Sequence, residues 1–482
     1  MRNTISEVLA ACLVLLLPAV LLQSCADDYK FTAETGCRLE FSADTLDMDT
    51  VMAGVASASY LLTIYNNNDM AIRFDALLAG GSSSPFNINV DGMPGPSMSG
   101  IEVGPDDSVM CLVSICAPVL HDSRLSLQTD SMRFLLESGT VQQVIIRAGS
   151  LNAIRLDKYE VVADECFTAD RPYLIYDTLH VACGASLKLM PGTELYFHNG
   201  AGLVVDGCLN AVGCADSMVV FRGDRTDLLL ADLPYDLMDS QWEGVTLGSG
   251  SFDNHMEYCD LHGGRFGIRA DSSDCRDWKL RLTSSVIHNV AGNCIQADGC
   301  RIQVANSQVT NAGDCCVNIA GGWSDFTFCT IAGFSVWYQG RVAVSIADRR
   351  ADAAPIPFGG AYFNDCIITG RHENELELSD SLVCGYEKQI RVSHSLVMAS
   401  DTTCAFYDNV RFESRGSDCY GASNFTGLSR KGYASVFTLD SLSSARGIAD
   451  SVSIFFPVDL AGNPRPENGA DAGCLQSSFS VR

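Results

Sequence analysis

Tyr258-Cys259-Asp260-Leu261-His262-Gly263 sets a pattern that returns five times, as Ser284-Ser285-Val286-Ile287-His288-Asn289, Asn306-Ser307-Gln308-Val309-Thr310-Asn311, Phe328-Cys329-Thr330-Ile331-Ala332-Gly333, Asp365-Cys366-Ile367-Ile368-Thr369-Gly370 and His394-Ser395-Leu396-Val397-Met398-Ala399. Each unit has Cys or Ser as its second residue, then a short apolar-alternating run, then a small or turn residue. Counted between the second residues, the spacings are 26, 22, 22, 37 and 29. One turn of a parallel β-helix, three short strands and their bends, needs about that many residues, and longer gaps are loops bulging from one coil. A single coil cannot bury its inward side chains, whereas stacked coils set like residues above one another. Leu261, Ile287, Val309, Ile331, Ile368 and Val397 are therefore expected to form an internal aliphatic ladder, with Asn, Ser and Cys in shorter ladders at the bends. The uneven spacing and the lack of a Trp-bearing blade signature argue against a propeller or a large sandwich.

Working outward from this core, Leu179 to Leu209 reads as strands of four or five residues separated by turns, the first coils. Phe455 to Gly473 is rich in turn residues and is expected to close the stack, because an open end exposes strand edges and core. From 37 to 156 the texture differs. Strands at period two, such as Tyr60-Leu61-Leu62-Thr63-Ile64-Tyr65 and Phe86-Asn87-Ile88-Asn89-Val90, alternate with turn signals such as Asp91-Gly92 and Ser138-Gly139, the grammar of a small β-sandwich with Ig-like topology. At the N-terminus Arg2 precedes an apolar run from Val8 to Leu22, and Leu22-Gln23-Ser24-Cys25 ends it as a lipoprotein signal does. The run is short, contains Pro18 and gives way at once to Ala26-Asp27-Asp28, which suits cleavage better than a membrane span. The expected organisation is a signal peptide over 1–24, a tether over 25–36 lipidated at Cys25, a sandwich over 37–156 and a β-helix with its cap over 164–482.

The formal charge of −26 makes most of the surface repel phosphate backbones, which excludes nucleic acid as a partner. It also disfavours acidic polysaccharides unless a local basic or calcium-bearing groove reverses the field. Setting aside Cys12 and Cys25 leaves nineteen of the 21 Cys, an odd number in a chain too long to need stapling. No CxxC or Cys/His zinc spacing occurs, so no metal site is expected and most Cys read as small buried hydrophobes. Cys294 with Cys300 is one pair placed to oxidise.

Gly184-Ala185-Ser186-Leu187, Met190-Pro191-Gly192-Thr193, Val205-Asp206-Gly207-Cys208-Leu209, Val220 to Arg225, Gln241-Trp242-Glu243-Gly244-Val245 and the terminal Asp459 to Arg465 with Asp471-Ala472-Gly473 resemble the pectate-lyase-like right-handed β-helix lipoproteins of Bacteroidota. The resemblance implies an all-β chain, a right-handed single-stranded parallel β-helix preceded by the sandwich. It implies anchoring in the outer membrane through acylated Cys25, facing the cell exterior. It is specific for fold and anchoring and weak for activity; Cys183, Cys208 and Cys214 depart from the turn residues of those proteins.

Lyases and hydrolases on such a fold act in a groove of the outer face, lyases with a basic residue and bound calcium, hydrolases with paired carboxylates. Three regions supply candidate ligand-binding residues. Arg222, Asp224, Arg225 and Asp227 follow a strand, where mutual pairing in a turn is the simpler account; Arg222-Gly223-Asp224 also matches an adhesion tripeptide by letters. His262 and His288 hold the same position in successive units, so they are expected to stack about 5 Å apart, with Asp260 on their face and Thr310 next in line. Trp242 follows the 224–241 loop, whose Leu228-Leu229-Leu230 suits packing, and Trp337 and Tyr338 lie in the insertion between Cys329 and Cys366 with Arg341, Arg349 and Arg350. No HExxH, GxSxG or phosphate-loop fingerprint is present. The expected role is binding, adhesion or scaffolding at the cell envelope, toward a glycan, with a polysaccharide lyase or glycoside hydrolase as the alternative. No cofactor is expected beyond the calcium that a lyase would call for.

Overall fold

The computed structural model describes residues 30–120, 124–230, 233–350, 354–385, 389–414, 416, 419–429, 434–450 and 455–477. The expected signal segment and Cys25 lie outside them. Among the described residues no helix is long and apolar enough to cross a membrane.

Two antiparallel five-stranded sheets form the N-terminal sandwich, one built on Tyr60–Asn66, Phe86–Val90 and Asp107–Ile115, the other on Thr45–Met52, Ile72–Leu78, Ser97–Val103, Leu125–Leu136 and Val141–Leu151. The period-two pattern is what buries one face of each: Ile72–Leu78 alternates strictly between buried and half-buried residues. The expected tether is partly docked on this sandwich, since Phe31 bridges Ala71 and the backbone N–H of Thr32 donates to Ala71 O at 2.9 Å.

All remaining large sheets are parallel. Ten strands from Glu165–Phe167 to Tyr407–Asp408 form a first ladder. A second runs from Glu194–Phe197 through Cys259–His262, Val286–Val290 and Gln308–Ala312 to Arg411–Glu413, and a third from Gly202–Val205 to Leu376–Leu378. The second and third join through the long strand Tyr173–Val181 into one sheet of 18 strands. This is a parallel β-helix with three strands per coil. The array begins earlier than the boundary at 164, because Ile154–Val161 already pairs in parallel with Tyr173–Val181.

Register confirms the repeat residue by residue. Leu261 pairs with Ile287, Ile287 with Val309, Val309 with Ile331, Ile331 with Ile368 and Ile368 with Val397. All six are at most 1 % exposed, so every coil buries an aliphatic side chain worth roughly 1.5–3 kcal/mol. The residue that opens each unit, Tyr258, Ser284, Asn306, Phe328, Asp365 and His394, has φ between 47° and 55°. This left-handed residue turns the chain from the first ladder into the second in one step. Asn and Asp tolerate that conformation and the others adopt it at a cost that stacking offsets. The small second residue then closes the corner: the N–H groups of Cys259, Ser285 and Cys366 donate to the hydroxyls of Ser285, Ser307 and Ser395 at 3.0, 3.1 and 2.9 Å.

The C-terminal segment, expected to close the end of the stack, runs along its side. Arg465 donates to Asn306 Oδ1 at 2.9 Å and lies over the Phe328 ring, and the N–H of Gly473 donates to Asp365 O at 2.8 Å. Phe425, Phe437, Leu439 and Ile448 pack on Ala332, Ile367 and Leu396 of the second ladder's outer face. Cys294 and Cys300 are free thiols, and burial pushes Cys300 to about 12. The stacked neighbour of Cys294 is Cys316 in the next coil, not Cys300.

Candidate functional site

The outward positions of the second ladder carry the site. Because Leu261 points inward, Asp260 and His262 on either side of it point outward, and the register sets His262 beside His288 and His288 beside Thr310. The two imidazoles stack with centroids 4.8 Å apart, the spacing expected from the repeat. Loop 224–241 supplies a further carboxylate. Its one-turn helix Tyr235–Leu237 carries Asp236, and the Gln241 amide anchors that turn by donating to Tyr235 O and Met238 O at 3.0 and 2.8 Å.

These groups form a chain of alternating charge. Arg222 contacts Asp236 Oδ1 at 2.7 Å. His262 donates through Nε2 to Asp236 Oδ1 at 2.9 Å and through Nδ1 to Asp260 Oδ1 at 3.0 Å, and His288 Nε2 donates to the same Asp260 oxygen at 3.2 Å. Burial alone would push His262 down, but the carboxylates on both sides hold its imidazolium up to about 9. Burial would likewise raise Asp260 and Asp236; hydrogen bonds and charge from His262, joined by His288 and, for Asp236, by Arg222, hold both below the ordinary carboxylate range. Asp260 Oδ2 and His288 Nδ1 have no hydrogen-bond partner among the described residues.

Asp260, His262 and His288 can bring one ligand atom each within 4.8 Å of one another, a set that suits a divalent ion such as zinc. The donors are right in kind, but both nitrogens of His262 carry protons directed at carboxylates, so an ion would have to displace one. Neither carboxyl is placed to act as a general acid near neutral pH, because both are ionised and share one imidazolium. What the arrangement offers chemically is fixed hydrogen bonding: a carboxylate oxygen and an imidazole nitrogen, both rigidly held from behind.

The other sequence candidates divide clearly. Arg222 joins the network. Asp224 does not, because it accepts from His198 Nδ1 at 2.7 Å with its side chain only 10 % exposed, so the Arg-Gly-Asp triplet is not displayed. Arg225 pairs with Asp227 at 2.6 Å and lies over the Tyr235 ring, which is the mutual pairing expected of a turn. Trp242 is no binding platform: it is 1 % exposed, stacked on Phe197 at 4.2 Å, and its indole N–H donates to His262 O at 2.8 Å. It positions the strand that carries His262. Leu228 and Leu229 stay 42 % and 44 % exposed, against the packing role expected of them. Trp337 and Tyr338 are exposed on their insertion, and the Tyr338 hydroxyl donates to Asp239 at 3.2 Å, linking the two long loops. Asp236 was not foreseen; it lies outside the repeat, and no periodicity marks it.

No family model matches the chain. Protein bark beetle of Drosophila melanogaster is 30 % identical over 122 residues, which are 25 % of this chain and 4 % of that protein, so the chain spans a small fraction of that relative. Among solved structures, a family 123 glycoside hydrolase from Clostridium perfringens is similar at 8 % identity, covering 27 % of this chain and 30 % of that one with a TM-score of 0.20. The catalytic unit of a GH87 alpha-1,3-glucanase from Streptomyces thermodiastaticus covers 73 % and 75 % at 8 % identity and a TM-score of 0.25. The PapD-like domain of human CEP192 covers 28 % and 97 % at 9 % identity and a TM-score of 0.18. No role passes from them to this chain.

Proposed function

We propose that this chain is a lipid-anchored protein of the outer membrane, facing the cell exterior through acylated Cys25, whose β-helix binds a glycan, and that it belongs with the pectate-lyase-like lipoproteins of Bacteroidota that it resembles. The observation that carries binding is the geometry of the outer-face network. Asp236, His262 and Asp260 form one hydrogen-bonded chain that holds Asp260 Oδ2 and His288 Nδ1 open from behind, which suits recognition of vicinal hydroxyls. Hydrogen bonds to such charged, pre-oriented groups are the stronger kind.

The test is a glycan array probed with the chain from residue 26 onward, with calcium and with chelator, followed by product analysis of every hit. Retention of a glycan, lost in His288→Ala without a change in Tm, supports the proposal. Cleaved products turn it into a lyase or hydrolase, and silence across the array removes the glycan. Anchoring is tested separately, by incorporation of labelled palmitate in the native host; incorporation that persists in Cys25→Ala overturns the tether.

A further inference from the structure

The network on the open face of the second ladder is spaced for an ion as well as for protons. His262 Nδ1 and His288 Nε2 both point at one oxygen, Asp260 Oδ1, at 3.0 and 3.2 Å. Three donor atoms around a tetrahedral zinc, each about 2.0–2.1 Å from it, lie roughly 3.3–3.4 Å from one another. Two edges of that triangle are therefore already close to the coordination geometry, and the third is bounded by the 4.8 Å within which all three donors lie. The repeat itself makes the triangle: register sets His262 beside His288, and Asp260 stands two residues before His262 on the same face.

A ligating imidazole ordinarily donates its other N–H to a carboxylate, which fixes the ring and raises its basicity. His262 has that support in place. Its Nε2 donates to Asp236 Oδ1 at 2.9 Å, Arg222 holds the same oxygen at 2.7 Å, and the Trp242 indole donates to the His262 carbonyl at 2.8 Å. Of the two protons on His262, the one an ion can replace is therefore the Nδ1 proton aimed at Asp260, with Asp236 left as the support behind. The donors are reachable, because the His288 and Asp260 side chains are 20 % and 31 % exposed, while His262, at 6 %, forms the floor. The field of a chain with charge −26 draws cations toward them.

We infer that Asp260, His262 and His288 bind a zinc ion through Oδ1, Nδ1 and Nε2, with Asp236 as the carboxylate behind His262 and a fourth position left to water. The His262 Nδ1 proton goes to solvent as the ion takes its place. His288 moves its proton from Nε2 to Nδ1, which faces no donor among the described residues. Two imidazoles and one carboxylate select zinc over calcium, which asks for a larger set of oxygen ligands. An ion needs no sugar to bind, so the inference does not rest on the glycan reading above.

The test is calorimetric titration of the same chain, first stripped with chelator, with zinc chloride and separately with calcium chloride near neutral pH, and no glycan present. The expected result is zinc bound at least a hundredfold tighter than calcium, weakened at least tenfold in His288→Ala and about 10–100-fold in Asp236→Asn, which touches the ion only through His262. Cobalt(II) in place of zinc should give the visible bands of a four-coordinate ion, absent in His288→Ala. Cys166 and Cys183 are exposed free thiols, so zinc uptake that His288→Ala leaves unchanged belongs to groups such as these and overturns the inference. No uptake at micromolar zinc, or calcium bound as tightly as zinc, overturns it as well. Asp260→Asn, which keeps the shape and removes the charge, serves the same purpose if His288→Ala does not fold, and should weaken zinc at least tenfold.

Discussion

The outward column of the second ladder changes character half-way along the stack. Over the coils of 260 to 308 it reads Asp260, Val286, Gln308 and is partly exposed; over the next three it reads Thr330, Ile367, Leu396 and is at most 1 % exposed. The backbone is the same in both halves, and so is the inner ladder. The difference is the C-terminal segment, whose Phe425, Phe437 and Leu439 cover the second half. An outer β-helix face is therefore a functional surface only where nothing folds over it. Charge is held in pairs in the open half, and in the covered half it is bonded by backbone and neutral side chains or left at a cost.

The largest expected effect tests the cover itself. Phe437 is 1 % exposed and meets Phe425 edge-on at 5.0 Å, so Phe437→Ala should lower unfolding free energy by about 3–5 kcal/mol in urea titration. A loss below about 1 kcal/mol would mean the segment merely rests on the ladder.

The open half is probed by pH. The pKa of His262 is raised to about 9 in the folded chain from roughly 6.5 unfolded, so its contribution is complete below about pH 6.5 and is lost as pH rises through 9. Tm should fall across that window by an amount equivalent to about 2–3 kcal/mol. His262→Gln should be less stable at pH 6 and should lose most of the slope. A slope that persists in the variant would assign the titration elsewhere.

Asp365 makes the converse case in the covered half. Burial raises its carboxyl to about 6, and its Oδ2 has no partner. An acid with a raised folded pKa loses stability as pH rises from about 4 to 6 and stays penalised above, so Asp365→Asn should stabilise by about 1–2 kcal/mol at pH 7.5 and by nothing at pH 4. Asn keeps the acceptor that takes the Asp450 N–H at 2.8 Å and tolerates φ of 55°. Destabilisation at pH 7.5 would show that the charge is used there.

Much of this contrast was legible in the chain. Asp260-Leu261-His262 alternates, as a strand with one wet face must, whereas Ile367-Ile368 and Leu396-Val397-Met398 are apolar on both parities, the mark of a strand buried on both faces. The stacking of His262 on His288 followed from spacing alone, because register in a coil is fixed by the inner ladder. Asp236 was not legible, since a loop outside the repeat has no period and its placement depends on how Gln241 ties the turn. Trp242 misled for the same reason: beside a long loop it read as rim, yet the indole fills the corner under His262. The position of the C-terminal segment was hidden too, because turn-rich sequence fits a cap on the end or on the side equally well.

The smallest effect is the sharpest test of the comparison, because it needs two substitutions of one kind in one column. Val286→Thr, on the open half, replaces a methyl by a hydroxyl that water can reach, and should change stability by no more than about 0.5 kcal/mol. Ile367→Thr, read against Ile367→Val so that the lost methylene cancels, places the same hydroxyl under Phe437 and Phe425, where it must find a partner or stay desolvated, and should cost about 1–3 kcal/mol more than that reference. Equal costs in urea titration would mean that the column is uniform and that the cover does not decide which coils can carry polar chemistry.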